Sequence, residues 1–255
     1  MPIPVAEKRA AFRALHASGC FVLPNPWDAG GARRLEKLGF KALASTSAGI
    51  AWSLGREDNE LPRDVVLDHL RALCAATDLP VNADFEDGFA AAPDKVAANV
   101  KLALATGVAG LSIEDRDGHG LHPLSLAVER IRASRAAIDA TSADAMLVAR
   151  CEAYLLGQSD LDATIARLVA YAEAGADVLY APGVIDPAAI AAIMRAVAPK
   201  PVNVLLMNPQ MRVADLAALG VRRVSTGGAL AAAAWRGFDL AARQLLDSGT
   251  LPPRG

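Results

Sequence analysis

The feature that most constrains the fold is an alternation: short apolar runs, each followed by an Ala-rich helical stretch, recur eight times between residues 20 and 248. The runs read as strands over 20–24, 41–46, 80–85, 110–113, 146–151, 177–181, 201–206 and 221–226. Helices are expected over 28–38, 62–76, 93–106, 123–140, 160–174 and 213–219, and from 186 and 228 onward, after an opening amphipathic helix over 5–18. Gly39, Gly107, Gly175 and Gly220 each stand just before a strand, where a helix must stop and the chain reverse. Strands that alternate with helices pair in parallel, and eight of them close into a (β/α)8 TIM barrel. The rival is an open doubly wound sheet, which wants a glycine-rich loop after its first strand; Pro24-Asn25-Pro26-Trp27-Asp28 is not one. Composition does not shift along the chain, so residues 1–248 read as a single barrel domain and 249–255 as a C-terminal tail.

A hydrophobic fraction of 53% with 21% charged residues supports a large core under Ala-rich helices. A formal charge of −2 supplies no electrostatic reason to expect nucleic acid or an anionic membrane as partner. No apolar run reaches the length of a membrane span, and the first residues lack an apolar signal core, so a cytoplasmic protein is expected. Cys20, Cys74 and Cys151 are too few and too far apart for a disulfide framework or a CxxC site and read as buried free thiols.

The chemistry should sit where barrel strands end. Val81-Asn82-Ala83-Asp84-Phe85-Glu86-Asp87-Gly88 places three carboxylates within four residues at the end of a β-branched run. Such groups repel one another unless donors or a cation hold them, and oxygen-only ligands suit a hard cation such as Mg²⁺. Spacing i, i+2 puts Asp84 and Glu86 on one face while the chain stays extended, with Asp87 left as a turn residue. The next runs end in Glu114-Asp115 and in Arg150-Cys151-Glu152, and later ones present Asn203 and Ser225-Thr226. Any one of these acids alone reads more simply as a helix cap or surface charge; two on one face plus a third from the neighbouring strand do not. Arg150 inside a strand needs acids or an anionic substrate, so a structural ion pair with Glu114 or Glu152 and a substrate contact are both open. Ser45-Thr46-Ser47-Ala48-Gly49 is a candidate anion-binding turn. His119 and His122, in the loop after the fourth strand, read as a solvated pair or as a general acid; His16 and His69 lie in helices and read as structural.

In order and spacing these motifs resemble the isocitrate lyase/phosphoenolpyruvate mutase superfamily over about residues 20–235. Asp84-Phe85-Glu86-Asp87-Gly88 is similar to its D-x-D-x-G metal motif, Glu114-Asp115 to its E-D motif, and Ala149-Arg150-Cys151-Glu152 to its A-R-x-E motif. Gly39–Asp58 resembles its second strand and following loop. The resemblance implies Mg²⁺ (or Mn²⁺) held directly by Asp84 and through water by Glu86, Glu114 and Asp58. It also implies an α-oxo acid or its enolate as ligand, Arg150 as a substrate contact, and a carboxylate grip by the backbone amides near Ser47 and Ala48. Ser45 and Asn203, at the same strand ends, are further candidate substrate contacts for an α-oxo or 2-hydroxy acid. A homo-oligomer, dimer or tetramer, with an exchanged last helix is implied as well.

The loop Arg116–His122 departs from both the Cys-bearing lyase loop (K-[KR]-C-G-H) and the mutase K-x-N-S loop. Family members without the Cys loop include oxaloacetate decarboxylases. The resulting expectation is a Mg²⁺-dependent carbon–carbon lyase or decarboxylase, with Arg150, Glu114, His119 and His122 as catalytic candidates. A phosphonopyruvate-type mutase or hydrolase, and a non-catalytic oxo-acid-binding protein, are the alternatives.

Overall fold

The computed structural model describes residues 2–141 and 144–253; residues 254 and 255 of the expected tail lie outside them. After helix α1 (Val5–Leu15), strand β1 (Phe21–Leu23) leads to α2 (Ala29–Lys37), and β2 (Leu43–Ala44) to α3 (Ser47–Ser53) and α4 (Arg63–Ala76). Then come β3 (Val81–Asp84), α5 (Pro93–Leu104), β4 (Gly110–Glu114), the hairpin strands β5 (Arg116–Asp117) and β6 (Gly120–Leu121), and α6 (Leu124–Ala140). The chain continues through β7 (Met146–Arg150), a 3₁₀ turn (Ala153–Leu156), α7 (Leu161–Glu173), β8 (Val178–Tyr180), α8 (Pro187–Val197) and β9 (Val202–Leu205). It finishes with α9 (Val213–Ala218), β10 (Arg223–Ser225) and α10 (Ala229–Ser248).

Eight strands pair in parallel in the order β1-β10-β9-β8-β7-β4-β3-β2. The Ala44 amide donates to the Pro24 carbonyl at 3.1 Å, and this bond bridges β2 to the end of β1 and completes the (β/α)8 ring. Period-2 alternation then sorts the side chains. Val22, Ala83, Leu111, Leu147, Leu179 and Val224 point outward beneath the helices, whereas Leu23, Ala44, Met146, Val148, Val178 and Tyr180 line the inside.

The N-terminal end of the barrel is plugged by α1. Phe12 is fully buried among Leu23, Ala42, Ala109 and Met146. Gly110 makes room for it: a Cβ there would stand 3.0 Å from the Phe12 ring and 2.9 Å from the Met146 carbonyl. From the plug toward the mouth the interior turns polar, through Asn82, Arg223, Asn203 and Ser112 to Asp84, Glu114 and Arg150. The mouth is therefore the place for chemistry.

Two segments differ from the expected loops. Residues 47–53 form the short helix α3, capped by the Thr46 hydroxyl, which accepts from the Gly49 amide. Residues 116–121 form a small hairpin, because Gly120 adopts a positive φ at its turn. In α10 Ala231 is the one buried residue described, so the helix runs off the barrel instead of covering it.

Candidate active site

Strands β3, β4 and β7 are neighbours, so their C-terminal residues meet. The meeting point is the Arg150 guanidinium. Its Nη1 donates to Asp84 Oδ1 at 2.6 Å and stands 3.0 Å from Glu114 Oε1, while Nε donates to Glu152 Oε1 at 2.8 Å. Burial works against its charge, but Glu114, Glu152 and Asp84 outweigh that and raise its pKa further. The ion pair expected with Glu114 or Glu152 thus forms with both, and with Asp84 as well.

Asp84 is also gripped from the other side. Its Oδ2 accepts from the Ser47 amide at 3.1 Å and the Ser47 hydroxyl at 3.0 Å, and its own amide donates to Ser45 Oγ at 2.8 Å. Ser45, Ser47 and Asp84 are therefore one unit, which the β2–β3 pairing builds. Asp115, by contrast, faces away from the mouth. It accepts from the Glu152 amide, the Tyr171 hydroxyl and Arg167, and so pins the ends of β4 and β7 together.

Glu86 departs from the expected extended geometry. Strand β3 stops at Asp84, and Glu86 takes a left-handed φ of 47°. The turn from 86 to 91 is held from behind, where Arg130 donates to the carbonyls of Asp87, Ala90 and Ala91 and Asn99 donates to that of Gly88. Asp87 serves the turn as expected, accepting from the Phe89 amide at 2.7 Å. Glu86 is buried, and among the described residues no donor reaches its carboxylate. Burial first, then Asp84, Glu114 and Asp58, push its pKa up to about 8. Glu114 moves in the same direction, to about 8, through burial partly offset by Arg150. Asp58 is raised by burial and by Asp84.

Two adjoining cavities open here and share Asp58. The outer one, about 350 Å³, is lined by Asp58, Glu86, Asp87, Glu114 and Arg116. The inner one, about 160 Å³, descends into the barrel past Ser47, Ala48, Asp84, Arg150 and Tyr180 to Arg223. Acids outnumber bases around them: Asp84, Glu114 and Glu152 pair with Arg150, and Glu114 also with Arg116, while among the described residues Asp58 and Glu86 have no ion-pair partner; Arg223 adds a third guanidinium deeper in the inner cavity. An all-oxygen donor set with a carboxylate that lacks any donor fits a hard divalent cation. Among the described residues no three His, Cys, Asp or Glu side chains form a ready-made cage. Such a cation would therefore keep several waters and take only one or two carboxylates directly, which is the habit of Mg²⁺.

The other expected residues scatter. Exposed His119 and buried His122 line neither cavity; His122 Nδ1 is 3.7 Å from Asp117 Oδ2, and burial lowers its pKa. Asn203 lies behind the inner cavity, where it accepts from Arg223 Nε at 2.9 Å and donates to Ser225 Oγ at 2.9 Å. Tyr180 and Arg223 line the inner cavity, though neither was singled out in the sequence. The signal was present: Arg223 precedes Ser225 by two residues in one strand, and so shares its inward face.

A TIM barrel whose C-terminal mouth gathers acids about one arginine is the class of protein that this geometry defines. The phosphoenolpyruvate phosphomutase family matches residues 12–246, and the chain belongs to it. A crystal structure from Burkholderia cenocepacia J2315, assigned there only to the lyase/mutase class, is 51% identical with a TM-score of 0.94, covering 97% of this chain and 91% of that one. Oxaloacetate decarboxylase of Pseudomonas aeruginosa PAO1 is 34% identical over 233 residues, 88% of this chain and 80% of its own. The structure of oxaloacetate acetylhydrolase in complex with oxalate is 27% identical with a TM-score of 0.91, covering 98% of this chain and 90% of that one.

Proposed function

We propose that this protein is a divalent-metal-dependent carbon–carbon lyase or decarboxylase that acts on a small α-oxo or 2-hydroxy carboxylate. The observation that carries the reading is the convergence of Asp84, Glu114 and Glu152 on Arg150, beside a Glu86 that no donor satisfies among the described residues. The relatives named for oxaloacetate chemistry support the choice of substrate class.

Asp84 would hold Mg²⁺ (or Mn²⁺) directly, with Glu86, Glu114 and Asp58 reaching it through water. When bound, the cation supplies positive charge to the oxygen that becomes negative as the scissile bond breaks. Ser47 fixes the Asp84 carboxylate from one side and Arg150 from the other, so its orientation precedes ligand binding. Arg150 also lines the inner cavity together with Ser45, Ser47 and Ala48, and offers a ligand hydrogen-bond donors held in place by its three acids. The proton acceptor or donor must come from groups that reach the ligand. His119 and His122 would need the 116–122 hairpin to fold over the outer cavity.

The test is turnover by purified protein with Mg²⁺ of oxaloacetate, methylisocitrate, isocitrate and phosphonopyruvate. EDTA-sensitive release of pyruvate or another oxo acid is expected for one of the first three. Turnover of phosphonopyruvate alone would instead establish the mutase or hydrolase reading. Thermal stabilisation by an oxo acid plus Mg²⁺ without turnover would make the protein a binder. Asp84→Ala should abolish both metal dependence and activity.

Helix α10 carries Phe238, Leu240 and Leu246 at 63–85% exposure, and among the described residues no membrane-spanning helix accounts for them. A second copy of this chain is the proposed cover, and sedimentation of the full chain as a monomer would refute it.

A further inference from the structure

The barrel interior holds a second guanidinium that the family motifs do not account for. Arg223, in β10, is 2% exposed and lines the inner cavity. Its Nε donates to Asn203 Oδ1 at 2.9 Å and its Nη1 reaches Asn82 Oδ1 at 3.4 Å. Both partners are neutral amides; among the described residues no carboxylate pairs with this arginine, and Nη2 has no protein partner. Below it lies the Phe12 ring, 6.0 Å from the guanidinium carbon, so no acid approaches from the plug.

A buried cation without a counter-charge is costly unless an anion joins it. Two asparagine oxygens orient the fork but leave its charge unanswered, and the free edge borders a cavity with room for a small ligand. Arg150 is a poorer counter-charge for a ligand carboxylate, because three carboxylates already neutralise it. We infer that Arg223 binds a carboxylate at the floor of the inner cavity, so that the ligand is a dicarboxylate whose other end faces Asp84 at the mouth. The second half of this statement rests on the lyase reading above; the first half does not. The dimensions agree. Asn82, which touches Arg223, lies two residues before Asp84 on the same face of β3, roughly 6.6 Å down the barrel. A four-carbon dicarboxylate, hydrogen-bonded at its inner end and contacted at its outer end, can bridge a separation of this size. Asn203 is then a positioning residue that acts through Arg223.

The experiment compares acids that differ by one carboxylate, succinate against propionate and malate against lactate, by calorimetry and thermal shift, with Mg²⁺ and again with EDTA. Wild type should prefer each diacid. Arg223→Met should remove roughly 10- to 100-fold of that preference, the size of a charge-assisted hydrogen-bonded pair, and leave the monoacids nearly unchanged. Arg223→Lys should restore part of it. Asn203→Asp is nearly isosteric and supplies the missing counter-charge in place, so it should abolish the preference in a protein that folds even if Arg223→Met does not. Wild type without diacid preference, or folded variants that keep it, would overturn the inference. Diacid preference without turnover of any oxo acid would sink the lyase reading and leave the role of Arg223 standing.

Discussion

Arg150 and Arg223 are both buried in the same barrel, yet they are built oppositely. Arg150 stands at the mouth, where β3, β4 and the turn after β7 each contribute an acid within 3.0 Å. Arg223 stands deeper, above an aromatic plug, with two amide oxygens and, among the described residues, no acid. Burial therefore acts differently on their charges. Arg150 is held more firmly protonated than a free arginine, because its acids outweigh desolvation, whereas burial lowers the Arg223 pKa to about 10. A cation that is already neutralised organises a site; one left unanswered waits for a ligand.

The largest expected effect follows from removing the saturated one. Arg150→Met leaves Asp84, Glu114 and Glu152 facing one another without their shared donor, which should cost about 3–5 kcal/mol of stability, as for other buried pairs broken on one side. Turnover should vanish with it. Arg223→Met removes a lone charge along with two hydrogen bonds, so its stability cost should be clearly smaller, about 1–2 kcal/mol. Urea denaturation of both variants checks the order, and an Arg223→Met variant as unstable as Arg150→Met would collapse the distinction.

The floor beneath Arg223 can be broken from the other side. Gly110→Ala drives a Cβ toward both the Phe12 ring and the Met146 carbonyl, and overpacking of this kind costs about 1–3 kcal/mol. If the plug is the cause, trimming it should help: Phe12→Leu in the Gly110→Ala background should recover part of the loss, with a coupling of about 0.5 kcal/mol or more. Strict additivity in that cycle would show that the backbone clash with Met146, and not the plug, carries the cost.

How much of this was legible in the sequence depends on the range of the interaction. The eight strands could be read because their period-2 pattern and the glycine stops are local, and the acids at strand ends because the barrel dictates where to look. Pairing of Arg150 with Glu114 or Glu152 was also in reach, since adjacent strands bring those residues together. Its third partner, Asp84, needed the register between β3, β4 and β7. The left-handed φ of Glu86 leaves no local mark, because the turn that follows it is held by Arg130, forty-odd positions away in sequence, through the carbonyls of Asp87, Ala90 and Ala91. Arg223 is harder to read because it stands below the last residue of its strand, and only the length of its side chain brings it to the same cavity. The hairpin at 116–121 and helix α3 are short, and neither has a periodicity long enough to read.

The smallest effect tests the field of Arg223 itself. His16, in the plug, is buried and donates from Nδ1 to the Phe12 carbonyl at 2.8 Å, which leaves Nε2 without a partner. Burial, and after it the charge of Arg223, lowers its pKa from 6.5 to about 3. The folded protein therefore holds His16 neutral, while the unfolded chain takes up a proton once the pH drops below about 6.5. The contribution is complete above that pH and is lost progressively as the pH falls toward 3. Over the first unit, from 6.5 to 5.5, wild type should lose about 1 kcal/mol relative to His16→Gln, whose amide can keep the bond to the Phe12 carbonyl but cannot titrate. In Arg223→Met the same loss should begin at the same pH but end at a higher one, because the folded-state pKa rises when the neighbouring charge is gone. Chemical denaturation from about pH 7 down to about pH 2.5 of wild type, His16→Gln and Arg223→Met separates the two causes. An unchanged end point in Arg223→Met would assign the whole depression to burial and show that the lone guanidinium is already screened in the resting protein.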